Sequence, residues 1–123
     1  MKKIYVIINE QHSLMEDQEK CLNELMEGMS NVGMNPVIEE VKVPSDGWSI
    51  DQMDKVFNKM LRENEDAMPI EVVFVSPVPY LIMEVASSDY MICRIFHNDK
   101  REKKELPNGK IVYTVAKEGW QLV

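Results

Sequence analysis

The side chains best suited to chemistry in this sequence fall in three short segments: Asn9 to Ser13, Ser76 to Tyr80, and His97 to Arg101. They offer the imidazoles of His12 and His97, the hydroxyls of Ser13, Ser76 and Tyr80, the amides of Asn9, Gln11 and Asn98, and the cations of Lys100 and Arg101. Arginine presents a fork of N–H donors and lysine a compact point charge, so this inventory suits hydrogen bonding to phosphate oxygens and compensation of their charge. Other chemistries are poorly served. Neither GxGxxG nor GxxxxGK[ST] occurs, which removes the dinucleotide fingerprint and the phosphate-cradling P-loop. GxSxG, HExxH and the kinase signatures are absent as well. A receiver-type phosphoacceptor would need an aspartate closing the central strand, where Ser76 stands. No metal and no organic cofactor is expected. Cys21 and Cys93 have neither metal nor redox spacing and read as reduced core residues.

Each candidate also has a plain structural explanation. Ser13 begins Ser13-Leu14-Met15-Glu16, the capping-box pattern in which a serine hydroxyl and a glutamate three residues later satisfy the first free N–H groups of a helix. His12 would then be a loop residue before the cap. His97 would be the last residue of a strand, given weight as a ligand only by Lys100 and Arg101 beside it.

Charge is unevenly placed. Residues 1–88 carry seven basic and sixteen acidic side chains, whereas residues 89–123 carry seven basic and five acidic, so a chain of net charge −7 ends in a locally basic segment. Duplex or long single-stranded nucleic acid is not an expected partner, because such binding rests on many phosphate contacts across a broad basic surface. A small anionic ligand held at one patch fits the distribution. The competing explanation is a solvated hairpin whose charges blunt an exposed sheet edge.

The elements that must position these segments follow from the apolar pattern. Ile4 to Ile8 is an uninterrupted apolar run and Ile70 to Val75 is apolar but for Glu71, both expected of strands buried on both faces of a parallel sheet, the second of them central. Pro36 to Val43 is more polar and belongs nearer an edge. Helical spacing of apolar residues predicts a helix from about Leu14 to Asn31, stopped by Gly33, and a second beginning at Ile50 with Ser49 and Gln52 as a capping box and ending before Pro69. After the break at Ser76-Pro77-Val78-Pro79, Tyr80 to Ala86 is a short helix or a strand extension, with the prolines favouring the former. Tyr90 to Phe96 is a strand, Pro107-Asn108-Gly109 a hairpin turn, and Glu118 to Val123 a tail.

Alternating strands and helices joined by right-handed crossovers give an α/β domain spanning 1–123: a three-layer, Rossmann-like sandwich with a mostly parallel sheet and a C-terminal antiparallel β-hairpin. That topology would bring the three segments to one rim, at the carboxyl ends of the strands, where ligands bind in open α/β sheets. No apolar run approaches the ~20 residues of a membrane span. The opening MKKIYVII lacks the long apolar stretch and small cleavage-site residues of a signal peptide. A cytoplasmic protein with no membrane partner is expected.

Two motifs carry a resemblance. His12-Ser13-Leu14-Met15-Glu16-Asp17-Gln18 follows the first strand, and Lys100-Arg101-Glu102 with Glu105-Leu106-Pro107-Asn108-Gly109 lies near the end. In this order they resemble an H-x-L-x-x-x-Q opening and a K-R-E hairpin closed by a Pro-Asp/Asn-Gly turn in small single-domain CRISPR-associated Rossmann-fold (CARF-type) proteins. The resemblance covers both ends of the chain. Met15 and the Asn98-Asp99 pair depart from it, standing where a threonine and hydroxyl residues are expected. It implies a homodimer that binds a cyclic oligoadenylate across its two-fold axis. It also implies ring nuclease activity, in which a ribose 2′-hydroxyl of the ligand attacks the adjacent phosphate in line, without metal, and leaves a 2′,3′-cyclic phosphate. His12, Ser13, Lys100 and Arg101 would then be catalytic, and Asn9, Gln11, Ser76, Tyr80, His97 and Asn98 would line the ligand site. Non-catalytic sensing of such a ligand and docking of a protein partner are the alternatives.

Overall fold

The computed structural model describes residues 2–66 and 69–123. Ten elements follow in order: β1 (Lys2–Asn9), α1 (Glu16–Asn31), β2 (Pro36–Val43), α2 (Ile50–Glu63), β3 (Ile70–Phe74), α3 (Pro79–Ala86), β4 (Met91–His97), β5 (Arg101–Glu105), β6 (Ile111–Val115) and β7 (Gln121–Leu122). Five strands form one sheet in the order β2-β1-β3-β4-β7. Its first four strands run parallel, and β7 lies antiparallel to β4. The chain is thus α/β with a mostly parallel sheet, and the hairpin β5–β6 forms a separate antiparallel pair.

The apolar runs explain the middle of that order. Ile4 to Ile8 and all of β3 are buried, while β2, at the sheet's edge, mixes apolar residues with Glu39, Glu40 and Lys42 and is mostly half-buried or exposed. A central parallel strand has neighbours on both sides and side chains packed on both faces, so a nearly continuous apolar run suits it, and the one charge in β3, the buried Glu71, is paired with Arg94 on the adjacent strand. Alternate residues of β1 feed two separate clusters, as successive strand side chains point to opposite faces. Ile4 and Val6 join Leu22 and Met29 of α1, whereas Tyr5 and Ile7 join Met53 and Met60 of α2 and Leu81 and Val85 of α3. No helix among the described residues is long and apolar enough to cross a membrane.

Helix ends follow the sequence signals at two of three tested places. Ser49 Oγ accepts from Gln52 N at 3.2 Å and Gln52 Oε1 accepts from Ser49 N at 2.8 Å, the expected reciprocal box. Gly33, with φ of +85°, closes α1. Its N–H reaches Ser30 O, and Met34 N–H reaches Met29 O. The start of α1 differs from expectation. Its cap is Met15 rather than Ser13, and the Met15 N–H donates to Gln18 Oε1 at 3.0 Å. Methionine has no oxygen to complete the box. The reason is tertiary: Gln18 is buried, and Leu14 packs on the core cluster from the extended segment ahead of the helix. Beginning the helix at Leu14 would remove that segment from its packing.

Tyr80 to Ala86 is helical. Tyr80 donates its phenol hydrogen to Asp54 Oδ1 at 3.0 Å, linking α3 to α2. Glu84, also on α3, has a buried Oε1 with no hydrogen-bond partner among the described residues. Burial first, and then Asp54, push its carboxyl up to about 7 from 4.5. The folded state therefore holds that proton more tightly than the unfolded chain. The associated stabilisation is complete below 4.5 and is lost as pH rises through about 7. Glu84→Gln, which keeps the shape of the protonated acid, is expected to flatten the decline in melting temperature across this interval and to melt above wild type on its alkaline side. Parallel pH profiles of the two proteins would disprove the assignment.

Candidate functional site

Parallel pairing of β1, β3 and β4 brings their carboxyl ends to one rim, so Asn9, Ser76 and His97 stand at corresponding ends of three neighbouring strands. Asn9 and Ser76 meet directly. Ser76 is buried, and its Oγ accepts the Asn9 backbone N–H at 2.8 Å, fastening the end of β1 to the end of β3. The Asn9 side chain turns the chain after β1, its Oδ1 accepting from Gln11 N at 2.9 Å. Gln11, His12 and Ser13 are exposed on the following loop. Tyr80 is directed onto α2 by its bond to Asp54, not onto the rim. His97 is exposed and registers opposite Gln121.

Asn98 has a structural occupation. It is 5 % exposed. Its Nδ2 donates to the carbonyls of Ala116 and Glu118, each at 2.9 Å, and its Oδ1 accepts from Lys100 N at 3.0 Å. One amide thereby joins the end of β4, the start of β5, the end of β6 and the tail. Arg101 reinforces the same corner, its Nη1 donating to the carbonyls of Asn98 at 2.7 Å and Lys100 at 3.0 Å. These bonds absorb part of the donor fork that the sequence offers to phosphate.

Lys100 points elsewhere. Its aliphatic chain lies over Gly119, where an added Cβ would come within 2.7 Å of Lys100 Cδ. Gly119 also has φ of +91°, so the backbone calls for glycine there, whereas the flexible Lys100 chain could shift to admit a Cβ. The tail is held from the other side by Asp17 in the first turn of α1, whose Oδ2 accepts from Gly119 N at 2.8 Å and from Trp120 N at 3.0 Å. Between these two attachments opens a cleft of about 790 Å³. Met15, Glu16, Asp17 and Lys20 form the α1 wall, and Lys100, Lys117, Glu118 and Gly119 the other. A second depression, of about 580 Å³, shares Lys100, Lys117 and Glu118 and adds Arg101.

Three lysines and three carboxylates line the main cleft, so its formal charges balance. Lys20, Lys100 and Lys117 take part in no ion pair among the described residues. Asp17 already carries two backbone N–H donors. The positive end of the α1 dipole adds to the cationic side. Glu16 and Glu118 on the same walls likewise take part in no ion pair among the described residues, so an anion would have to be held on the lysine side. Of the residues singled out from the sequence, Lys100 lines this cleft, and Arg101 lines its neighbour. His12 and Ser13 precede its Met15 wall without lining it, and Ser76 and Asn98 are engaged within the fold. Asp17, Lys20, Lys117 and Gly119 were not anticipated. The only signal for them was the Gly-Trp-Gln-Leu-Val ending, an apolar segment able to pair as a strand and so to carry Lys117 and Gly119 onto α1.

Among the described residues no three His, Cys, Asp or Glu side chains are grouped as a metal ion would require. Burial pushes both thiols up, and Cys21 donates to Trp120 O at 3.4 Å. The chain matches no protein-family model, no curated protein and no solved structure.

Removing the Asn98 amide leaves the Ala116 and Glu118 carbonyls without their partner. Asn98→Ala is expected to cost about 1–3 kcal/mol in denaturant unfolding and to speed hydrogen exchange in β5 and β6. Lys100→Ala, at an exposed cation, should leave stability nearly unchanged. Equal stability of the two variants would contradict the role assigned to Asn98.

Proposed function

We propose that this chain is a CARF-type, three-layer Rossmann-like domain that binds a cyclic oligoadenylate in the cleft between the start of α1 and the Lys100–Gly119 corner. The observation that carries the reading is the convergence of Lys20, Lys100 and Lys117, none in an ion pair among the described residues, on one cleft of about 790 Å³ at the positive end of a helix. A ligand made of ribose phosphates presents regularly spaced anions to such a wall. The three-layer reading is supported by the two core clusters, one containing α1 residues and the other α2 and α3 residues. The sequence resemblance supplies the ligand class, a cytoplasmic setting and a two-fold homodimer, which matches the symmetry of a cyclic ligand.

In this reading Lys100 and Lys117 compensate phosphate charge, Lys20 faces them from α1, and Asn98, Arg101 and Asp17 fix the geometry of the wall. Cleavage is a second reading, supported by His12 and Ser13, which are exposed on the loop entering α1 and have no side-chain hydrogen bond among the described residues. There the ligand's own 2′-hydroxyl would attack the adjacent phosphate, its proton would pass to solvent or to His12, and the 5′-oxygen would leave with a proton. The chain's contribution would be alignment of the attack and stabilisation of charge on the phosphorane.

Labelled cyclic tetra-adenylate and hexa-adenylate incubated with the protein without metal separate these readings. Binding without products is expected of a sensor, and linear products ending in a 2′,3′-cyclic phosphate of a ring nuclease. Lys100→Ala with Lys117→Ala should weaken binding at least about tenfold, each lost charge-assisted contact being worth roughly 1.5–3 kcal/mol, while the circular dichroism spectrum stays unchanged. Failure of both rings to bind at micromolar protein would remove the proposal.

A further inference from the structure

Among the described residues four strand edges are open, and three carry the features that keep sheets from pairing with other chains. β2 begins at Pro36 and carries Glu39, Glu40 and Lys42. β7 is two residues long. β5 is Arg-Glu-Lys-Lys-Glu, charged throughout. The fourth edge is β6, Ile-Val-Tyr-Thr-Val, with no charge and no proline. Its side chains Ile111, Tyr113 and Val115 are 49 %, 67 % and 43 % exposed.

The hydrogen-bond phase of the hairpin shows which backbone groups face outward. Ala116 N donates to Lys100 O at 3.1 Å and Leu106 N to Lys110 O at 2.7 Å. Bonded pairs recur every second residue in an antiparallel ladder, so Val112 and Thr114 bond inward to β5. The N–H and C=O groups of Ile111, Tyr113 and Val115 therefore point away from the hairpin. The residues with outward apolar side chains are also those with outward backbone groups. Beyond their mutual contacts β5 and β6 touch little else in the fold, and an isolated two-stranded hairpin is marginal in water.

We infer that β6 pairs with β6 of a second copy of this chain, antiparallel about a two-fold axis at Tyr113, giving a four-stranded sheet β5-β6-β6-β5 across the dimer. The two-fold register sets Tyr113 opposite Tyr113, Ile111 opposite Val115, Val112 opposite Thr114 and Lys110 opposite Ala116. It uses every outward backbone group of the strand and opposes no like charges, while the charged β5 edges remain outermost. A second copy is the occupant because the strand is self-complementary in this register, as an isologous contact requires. The surface is one on which the two-fold pairing proposed above can form, but the argument uses strand edges alone and stands whether or not a ligand binds.

Sedimentation of the ligand-free full chain tests it. Wild type is expected to dimerise with a dissociation constant of about micromolar, as befits an interface at the small end of specific contacts. Tyr113→Lys and Tyr113→Glu, each placing like charges directly opposite, should each raise that constant roughly tenfold or more. An equimolar mixture of the two variants should dimerise again, because lysine then faces glutamate across the axis. Lys104→Glu on β5 should dimerise as wild type does. A monomeric wild type, or a mixture no more associated than either variant alone, would overturn the inference while leaving the ligand assay to be judged separately. Far-UV circular dichroism confirms folding of the variants, the altered side chain being mostly exposed.

Discussion

The carboxyl-terminal third of this molecule depends on two polar side chains that close a circuit between distant segments. Asn98 holds the Ala116 and Glu118 carbonyls, and Asp17 holds the Gly119 and Trp120 amides. Residues 116 to 120 are thus fixed from both sides, one attachment through the end of β4 and the other through the first turn of α1. These bonds add to a two-residue strand, the Ile95–Val123 backbone pair and the packing of Trp120 on Phe96, which keep the tail against the sheet. The cleft exists because the circuit leaves a gap between its two attachments. The same bonds supply its walls: Asp17 brings α1, and Asn98 fixes the turn from which Lys100 extends.

The sheet supplies the rigid reference for this circuit. Ile4 to Ile8 are at most 1 % exposed, and Ile70, Val72 and Val73 are similarly enclosed. Strands so enclosed cannot shift register without moving apolar side chains to the wrong face. Polar pairs then tie helix to strand and strand to strand at the margins. Asn64 donates to Tyr5 Oη at 2.7 Å, and Arg94 Nε donates to the buried Glu71 at 2.7 Å across adjacent strands. Trp120 meets Phe96 edge to face at 6.3 Å, so the tail also packs on the end of β4. The candidate site therefore rests on the start of α1 and on the connections at residues 100 and 117–119, with His12 and Ser13 on the loop between β1 and α1.

Much of this was legible in the chain. The strands, the edge position of β2, the central position of β3, the Ser49 cap and the Gly33 stop follow from local patterns that tertiary contacts reinforce. The start of α1 was not. Ser13 has the better capping chemistry, yet Leu14 is packed on the core outside the helix and Gln18 supplies the bond to Met15. Local preference of about a kilocalorie per mole yields to burial of a large apolar side chain, which is worth more. The strand β7 was missed for a related reason: two residues make no periodic pattern, and only β4 beside them makes a strand of them.

The sequence by itself determined the order of the elements, the buried strands and the location of excess positive charge, because these depend on composition and on spacing along the chain. Only the tertiary structure decided what each polar residue does. Ser76, Tyr80 and Asn98 offered groups suited to a ligand, and in the fold Asn9, Asp54 and the 116–118 carbonyls engage them. Lys20 and Lys117 offered nothing distinctive in sequence and face one cleft with Lys100. A hydrogen bond between residues a hundred positions apart, such as Asp17 to Gly119, has no local signature. The partners of a polar side chain are set by which surfaces the apolar core brings together.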